Sequence, residues 1–76
     1  MKELLLYIAQ NLVDHPEAVT VTEREEDGEI TLELRVADGD MGKVIGRQGR
    51  IAKEIRTLVK SLAQRSDKHV NVDIVD

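Results

Sequence analysis

Leu4, Leu5, Ile8, Leu12 and Val13 recur every three to four positions and predict an amphipathic helix over residues 2–14. His15-Pro16 ends it, because proline has no N–H to donate and its ring does not fit a helix interior. The period then changes to two. Residues 18–25 alternate and are rich in valine and threonine, which predicts a strand with Val19 and Val21 inward. Asp27-Gly28 supplies the positive φ angles of a tight hairpin turn. Residues 29–37 alternate most cleanly, with Ile30, Leu32, Leu34 and Val36 on one face and Thr31, Glu33 and Arg35 on the other.

Asp38-Gly39-Asp40 reads as a loop in which Asp38 or Asp40 caps a short helix over residues 41–45. Gly46–Gly49 interrupts that helix, and a longer one follows over about 50–64. Its expected apolar stripe is Ile51, Ile55, Leu58, Val59 and Leu62. Ser66-Asp67 breaks it, and a last alternating strand, 69–75, places Val70, Val72 and Ile74 inward. The predicted order is helix, strand, strand, short helix, helix, strand. Each strand is apolar on one face only, so helices should cover one side of the sheet and leave the other wet. Tyr7, at helical spacing from Leu4, is expected in the core, and His15 at the carbonyl end of the first helix.

The chain of 76 residues is read as one small α+β domain, without cysteine to staple it. Its leading apolar stretch carries Glu3 and is cut by Gln10 and Asn11, so it is not read as a signal peptide. No segment approaches the ~20 apolar residues of a membrane span. A cytoplasmic protein without membrane contact is expected. The net charge of −4 is unevenly spread. Residues 1–41 carry three Lys or Arg against eleven Asp or Glu, residues 42–60 carry six against Glu54 alone, and residues 61–76 come to −1. A local field acts over a Debye length of ~8 Å, so an acidic chain with one basic segment can still meet a polyanion.

The basic segment surrounds Gly46-Arg47-Gln48-Gly49. Two glycines three apart allow a sharp turn, and without side chains they let phosphates approach main-chain N–H groups. The second opens a helix whose free N–H groups and positive dipole end favour an anion. Arg47 and Gln48 stand at the tip, Lys43 and Arg50 flank it, and Lys53, Arg56 and Lys60 continue along the helix face opposite the core. Lys60 and Arg65 are read as ordinary solvated residues.

Ile45-Gly46-Arg47-Gln48-Gly49 resembles the I-G-x-x-G signature of KH domains, which clamp about four nucleotides of single-stranded RNA. The element order is similar to the type II, or prokaryotic, KH fold over nearly the whole chain. Gly42 to Arg56 resembles the core segment of the short bacterial single-KH proteins of the KhpA family, including the small Ala52 three positions past the loop. The resemblance implies a three-stranded mixed sheet with helices on one face. It implies RNA contact through Lys43, Ile45, Gly46, Arg47, Gln48, Gly49, Arg50, Ile51 and Lys53, with Val44, Ile45 and Ile51 beside an apolar groove for bases. It further implies a homodimer or a heterodimer with a larger KH-containing protein of the KhpB/Jag type, and RNA-chaperone-like regulation touching cell shape and wall synthesis.

One Tyr and neither Phe nor Trp is too few aromatics for the RNA modules that work by stacking, and it predicts weak binding. An enzyme is not expected. Ser61 and Ser66 lack the context of an activated nucleophile, and Gly42-Lys43 is followed by Val44 where a P-loop needs Ser or Thr. Neither histidine has a cluster of partners, and Asp38 and Asp40 lack the spaced oxygen set of a calcium loop, so no metal or cofactor is expected. Two alternatives remain beside RNA: a protein-interaction module whose acidic hairpin (Glu23, Glu25, Glu26, Asp27, Glu29) meets a basic partner, and single-stranded DNA binding.

Overall fold

The computed structural model describes residues 1–75 and contains α1 (Lys2–Gln10), β1 (Thr20–Glu26), β2 (Glu29–Arg35), α2 (Met41–Ile45), α3 (Arg50–Arg65) and β3 (His69–Ile74). Short 3-10 turns lie at Pro16–Ala18, Asp38–Asp40 and Arg47–Gly49. The architecture is α+β, with one mixed sheet in the order β1-β2-β3. β1 and β2 form an antiparallel hairpin closed by Glu26 and Glu29, and Asp27 and Gly28 take φ of 52° and 82°. Positive φ at both turn residues matches the right-handed twist of the strands. β3 returns parallel to β2, with Leu32 opposite Val72 and Leu34 opposite Ile74. Parallel neighbours need a long crossover, and α2 and α3 provide it.

The helices cover one sheet face. Val21, Leu32, Leu34, Val70 and Val72 pack there against Leu5, Ala9, Val44, Ile55, Val59 and Ala63. Each fully buried Leu or Val contributes about 1.5–3 kcal/mol relative to exposure. The opposite face is polar and carries an Arg24–Glu33 ion pair at 3.5 Å.

Several expectations shift. α1 stops at Gln10, because Asn11 folds over its end: the side-chain amide donates to the Tyr7 carbonyl at 2.8 Å. Val13 still packs against the core, but from a loop. Tyr7 is 66% exposed rather than buried. It lies two residues from both Leu5 and Ala9, which places it about 200° around α1 from either. The inner line of α3 is Ala52, Ile55, Val59 and Ala63, whereas Leu58 is 45% exposed. Small residues let the helix lie close on the sheet, and bulky Leu58 and Ile51 fall on the flank toward α1.

Asp40 occupies the cap position of α2 but makes no capping bond. Its carboxylate, 1% exposed, accepts the main-chain N–H of Asp14 at 3.3 Å and of His15 at 2.9 Å. That ties the α1–β1 loop to α2. His15 is thus held in this loop, away from the end of α1, with its Nδ1 3.4 Å from a Glu17 carboxylate oxygen.

Candidate nucleic-acid interface

α2 is anchored by Val44, which is fully buried and therefore part of the core, not a groove wall as expected. The helix closes where the Gly46 N–H donates to the Gly42 carbonyl at 2.8 Å. Gly46 then turns to φ 77°, ψ 175°, a region open essentially to glycine alone. Gln48 (φ 58°, ψ 26°) and Gly49 (φ 74°, ψ 14°) follow in the left-handed region, and the Gly49 N–H donates to the Gly46 carbonyl at 3.2 Å. α3 starts at once, and no side chain caps its first turn. The N–H groups of Gly46, Gly49 and Arg50 are taken up inside the turn, so an anion would meet those of Arg47 and Gln48, and the helix dipole adds to the site.

The side chains around this turn are basic and open. Arg47, Gln48, Arg50 and Lys53 are exposed, Ile45 is 37% exposed beside them, and Ile51 is half-buried under the loop. Lys53, Arg56 and Lys60 share one flank of α3 by their spacing of three and four. At Arg56 this flank faces β3 rather than lying opposite the core, since the Arg56 Nε donates to the Val72 carbonyl at 3.1 Å, whereas Lys53 stands toward the outer face with Glu54 and Thr57. The Val75 N–H meanwhile donates to the Leu34 carbonyl of β2 at 2.9 Å. Alternate residues of a strand bond to opposite sides, so Val70, Val72 and Ile74 turn their main-chain groups to the open edge. A groove results, with the glycine loop at one end, the basic flank of α3 on one side and the β3 edge on the other.

The turn at Ser66–Lys68 sets the end of α3 beside the start of β3, so the glycine loop lies toward the strand's far end. The acidic hairpin stands at the opposite end, where Glu29 pairs with His69.

Lys43 is engaged elsewhere. Its ammonium donates to Asp14 and lies 3.9 Å from Asp40 Oδ1. The hydrogen bond from Lys43 holds the Asp14 carboxyl below its ordinary range, and the same bond raises the Lys43 ammonium above its own. Ile45 to Arg50 and Lys53 thus form one cluster, whereas Ile51 leans toward α1 and Lys43 and Val44 brace α2. The β3 edge and the part of Arg56 in it were not foreseen. The i, i+3 spacing from Lys53 to Arg56 was the available signal. Among the described residues, no helix is long and apolar enough to cross a membrane.

The profile of the family described as KhpA/KhpB, KH domain, matches residues 2–74. The RNA-binding protein KhpA of Listeria monocytogenes is 50% identical over 76 residues, covering the whole of both chains. That of Clostridium perfringens is 56% identical over 75 residues, 99% of this chain and all of the other. In a crystal structure bound to GDP.AlF4-, Era of Aquifex aeolicus superposes with a TM-score of 0.68 at 21% identity, over 96% of this chain and 28% of that one. Era in complex with MgGDPNP and a segment of 16S ribosomal RNA gives 0.66 at 20% identity, again over 96% of this chain and 28% of that one. At such identities the likeness to Era concerns the fold.

Proposed function

Because the chain belongs to the KhpA/KhpB family of KH domains, we propose that it binds short single-stranded RNA, with Gly46–Gly49 holding the backbone. One observation carries this reading. Gly46, Gln48 and Gly49 turn the chain through positive φ onto the uncapped first turn of a basic helix. Phosphates lie against the N–H groups of that turn, Arg47, Gln48, Arg50 and Lys53 supply charge and hydrogen bonds, and bases rest beside Ile45. The relatives' name, RNA-binding protein, supports RNA as the ligand and binding rather than catalysis as the activity.

The grip is weak, since stacking worth ~1–3 kcal/mol per base needs aromatic rings that this chain largely lacks. Pairing two KH domains raises the effective concentration of the second. A homodimer, or a complex with a larger KH-containing protein of the KhpB/Jag type, is therefore part of the proposal. Its support is an apolar groove on the α1 side of α3, lined by Ile8, Leu12, Ile51, Glu54, Ile55 and Leu58. The cellular role that fits is RNA-chaperone-like regulation in the cytoplasm, acting on cell shape and wall synthesis through that partner.

The test is Arg47→Asp with Gln48→Asp, which brings negative charge into the phosphate cradle at two exposed positions. RNA crosslinking should disappear while the circular dichroism spectrum stays native. Undiminished crosslinking by a folded variant would sink the clamp.

A further inference from the structure

The groove does not end at the loop. Along the flank of α3 that carries Lys53 and Arg56 it continues to a polar cavity of about 250 Å³ at the other end of β3. Lys60 and Gln64 from α3, Lys68 from the turn, and His69, Asn71 and Glu29 from the sheet line it. α3 rises roughly 16 Å from Gly49 to Lys60, so a strand held at the loop reaches this cavity only with later nucleotides.

Resting on the clamp reading above, we propose that this cavity is a second nucleotide site, taking one base and its phosphate beyond those held at the loop. The chemistry of the lining divides between the two parts. Lys60 and Lys68 offer ammonium groups to a phosphate. Glu29 and Asn71 are already joined, Asn71 Nδ2 donating to Glu29 Oε2 at 3.3 Å, and the remaining carboxylate lone pairs accept from the amino edge of a base. His69 brings an imidazole, and bases of single-stranded RNA stack on histidine as on other aromatic rings. The ring matters here because the chain's other aromatic rings are Tyr7 and His15 alone, with no Phe or Trp. Lys60 is thereby the far end of a cationic track that starts at the loop, not a solitary surface charge.

Oligonucleotides of four and eight residues, titrated into the ¹⁵N-labelled protein, test this. The shorter strand should shift amides around Gly46–Gly49 alone. The longer should also shift those of Lys60, Gln64, Lys68 and His69. It offers about five registers to a four-nucleotide clamp, worth roughly fivefold by counting, and should bind a further tenfold or so tighter, the worth of one stacked base. Lys68→Gln, and separately His69→Ala, should reduce the gain toward the counting factor and leave the four-nucleotide affinity unchanged. Retention of the full gain in both variants, or no shift beyond residue 56 with the longer strand, overturns the second site and spares the clamp. Failure of both strands to bind the native protein overturns the clamp, and the second site with it.

Discussion

A Cβ atom built on Gly46 would lie 2.6 Å from Ile51 Cγ1 and 2.9 Å from its Cβ. The loop is thus folded back onto the first turn of the helix it opens, and Gly46 is required there twice over, by contact and by its backbone angles. Ile51 is branched at Cβ and half-buried, so it cannot swing aside cheaply. Gly49 differs, since its φ of 74° is strained for other residues but open space surrounds it. Gly46→Ala should cost about 2–5 kcal/mol, backbone strain and overpacking together. Gly49→Ala should cost about 1–2 kcal/mol for the left-handed conformation alone. Urea unfolding of the two variants checks the order. Equal losses would mean that the Gly46–Ile51 contact is not felt.

The Asp14–Lys43 pair sets a pH dependence whose sign follows from its two shifts. Asp14 titrates below its ordinary range in the folded chain, so its stabilising share is complete above the usual carboxylate pKa of ~4 and fades as pH falls through the lowered value. Lys43 titrates above its ordinary range, so its share is complete below the usual ~10.4 and fades as pH rises through the raised value. Between these limits the pair contributes a plateau. The stability curve of Asp14→Asn should run below that of the native chain across the plateau and meet it in acid. Urea midpoints from pH 2 to pH 9 measure this, and a constant offset down to pH 2 would contradict it.

Periodicity made most of this fold readable, because burying one face of a strand or helix leaves a repeat in the chain. It was less informative where size or distance decides. On α3 the pattern counted Leu58 as core and passed over Ala52 and Ala63, since hydrophobicity says nothing about how closely a helix must approach a sheet. Asp40 looked like a cap because its partners, the N–H groups of Asp14 and His15, are 26 and 25 residues away in sequence. The glycine loop was legible, as its chemistry is local. The opposite wall of the groove was not, since β3 meets Arg56 only after the crossover has folded.

The long-range contact of Lys43 with Asp14 separates cations that hold RNA from those that hold the protein. Each phosphate neutralised on a single strand lowers the slope of log affinity against log salt by about 0.7, so three contacts give a slope near −2. Arg50 and Lys53 are exposed beside the loop with no ion-pair partner within 4.0 Å among the described residues, so Arg50→Gln or Lys53→Gln should bring the slope toward −1.3. Lys43 already shares its charge with Asp14 and Asp40. Lys43→Gln should therefore leave the slope almost unchanged, and Asp14→Asn, by releasing the ammonium, should steepen it by up to about 0.7. Fluorescence anisotropy of a labelled oligonucleotide from 50 to 300 mM salt reads all four. A slope that drops as much for Lys43→Gln as for Arg50→Gln would place Lys43 on the RNA and dismiss its role as a brace.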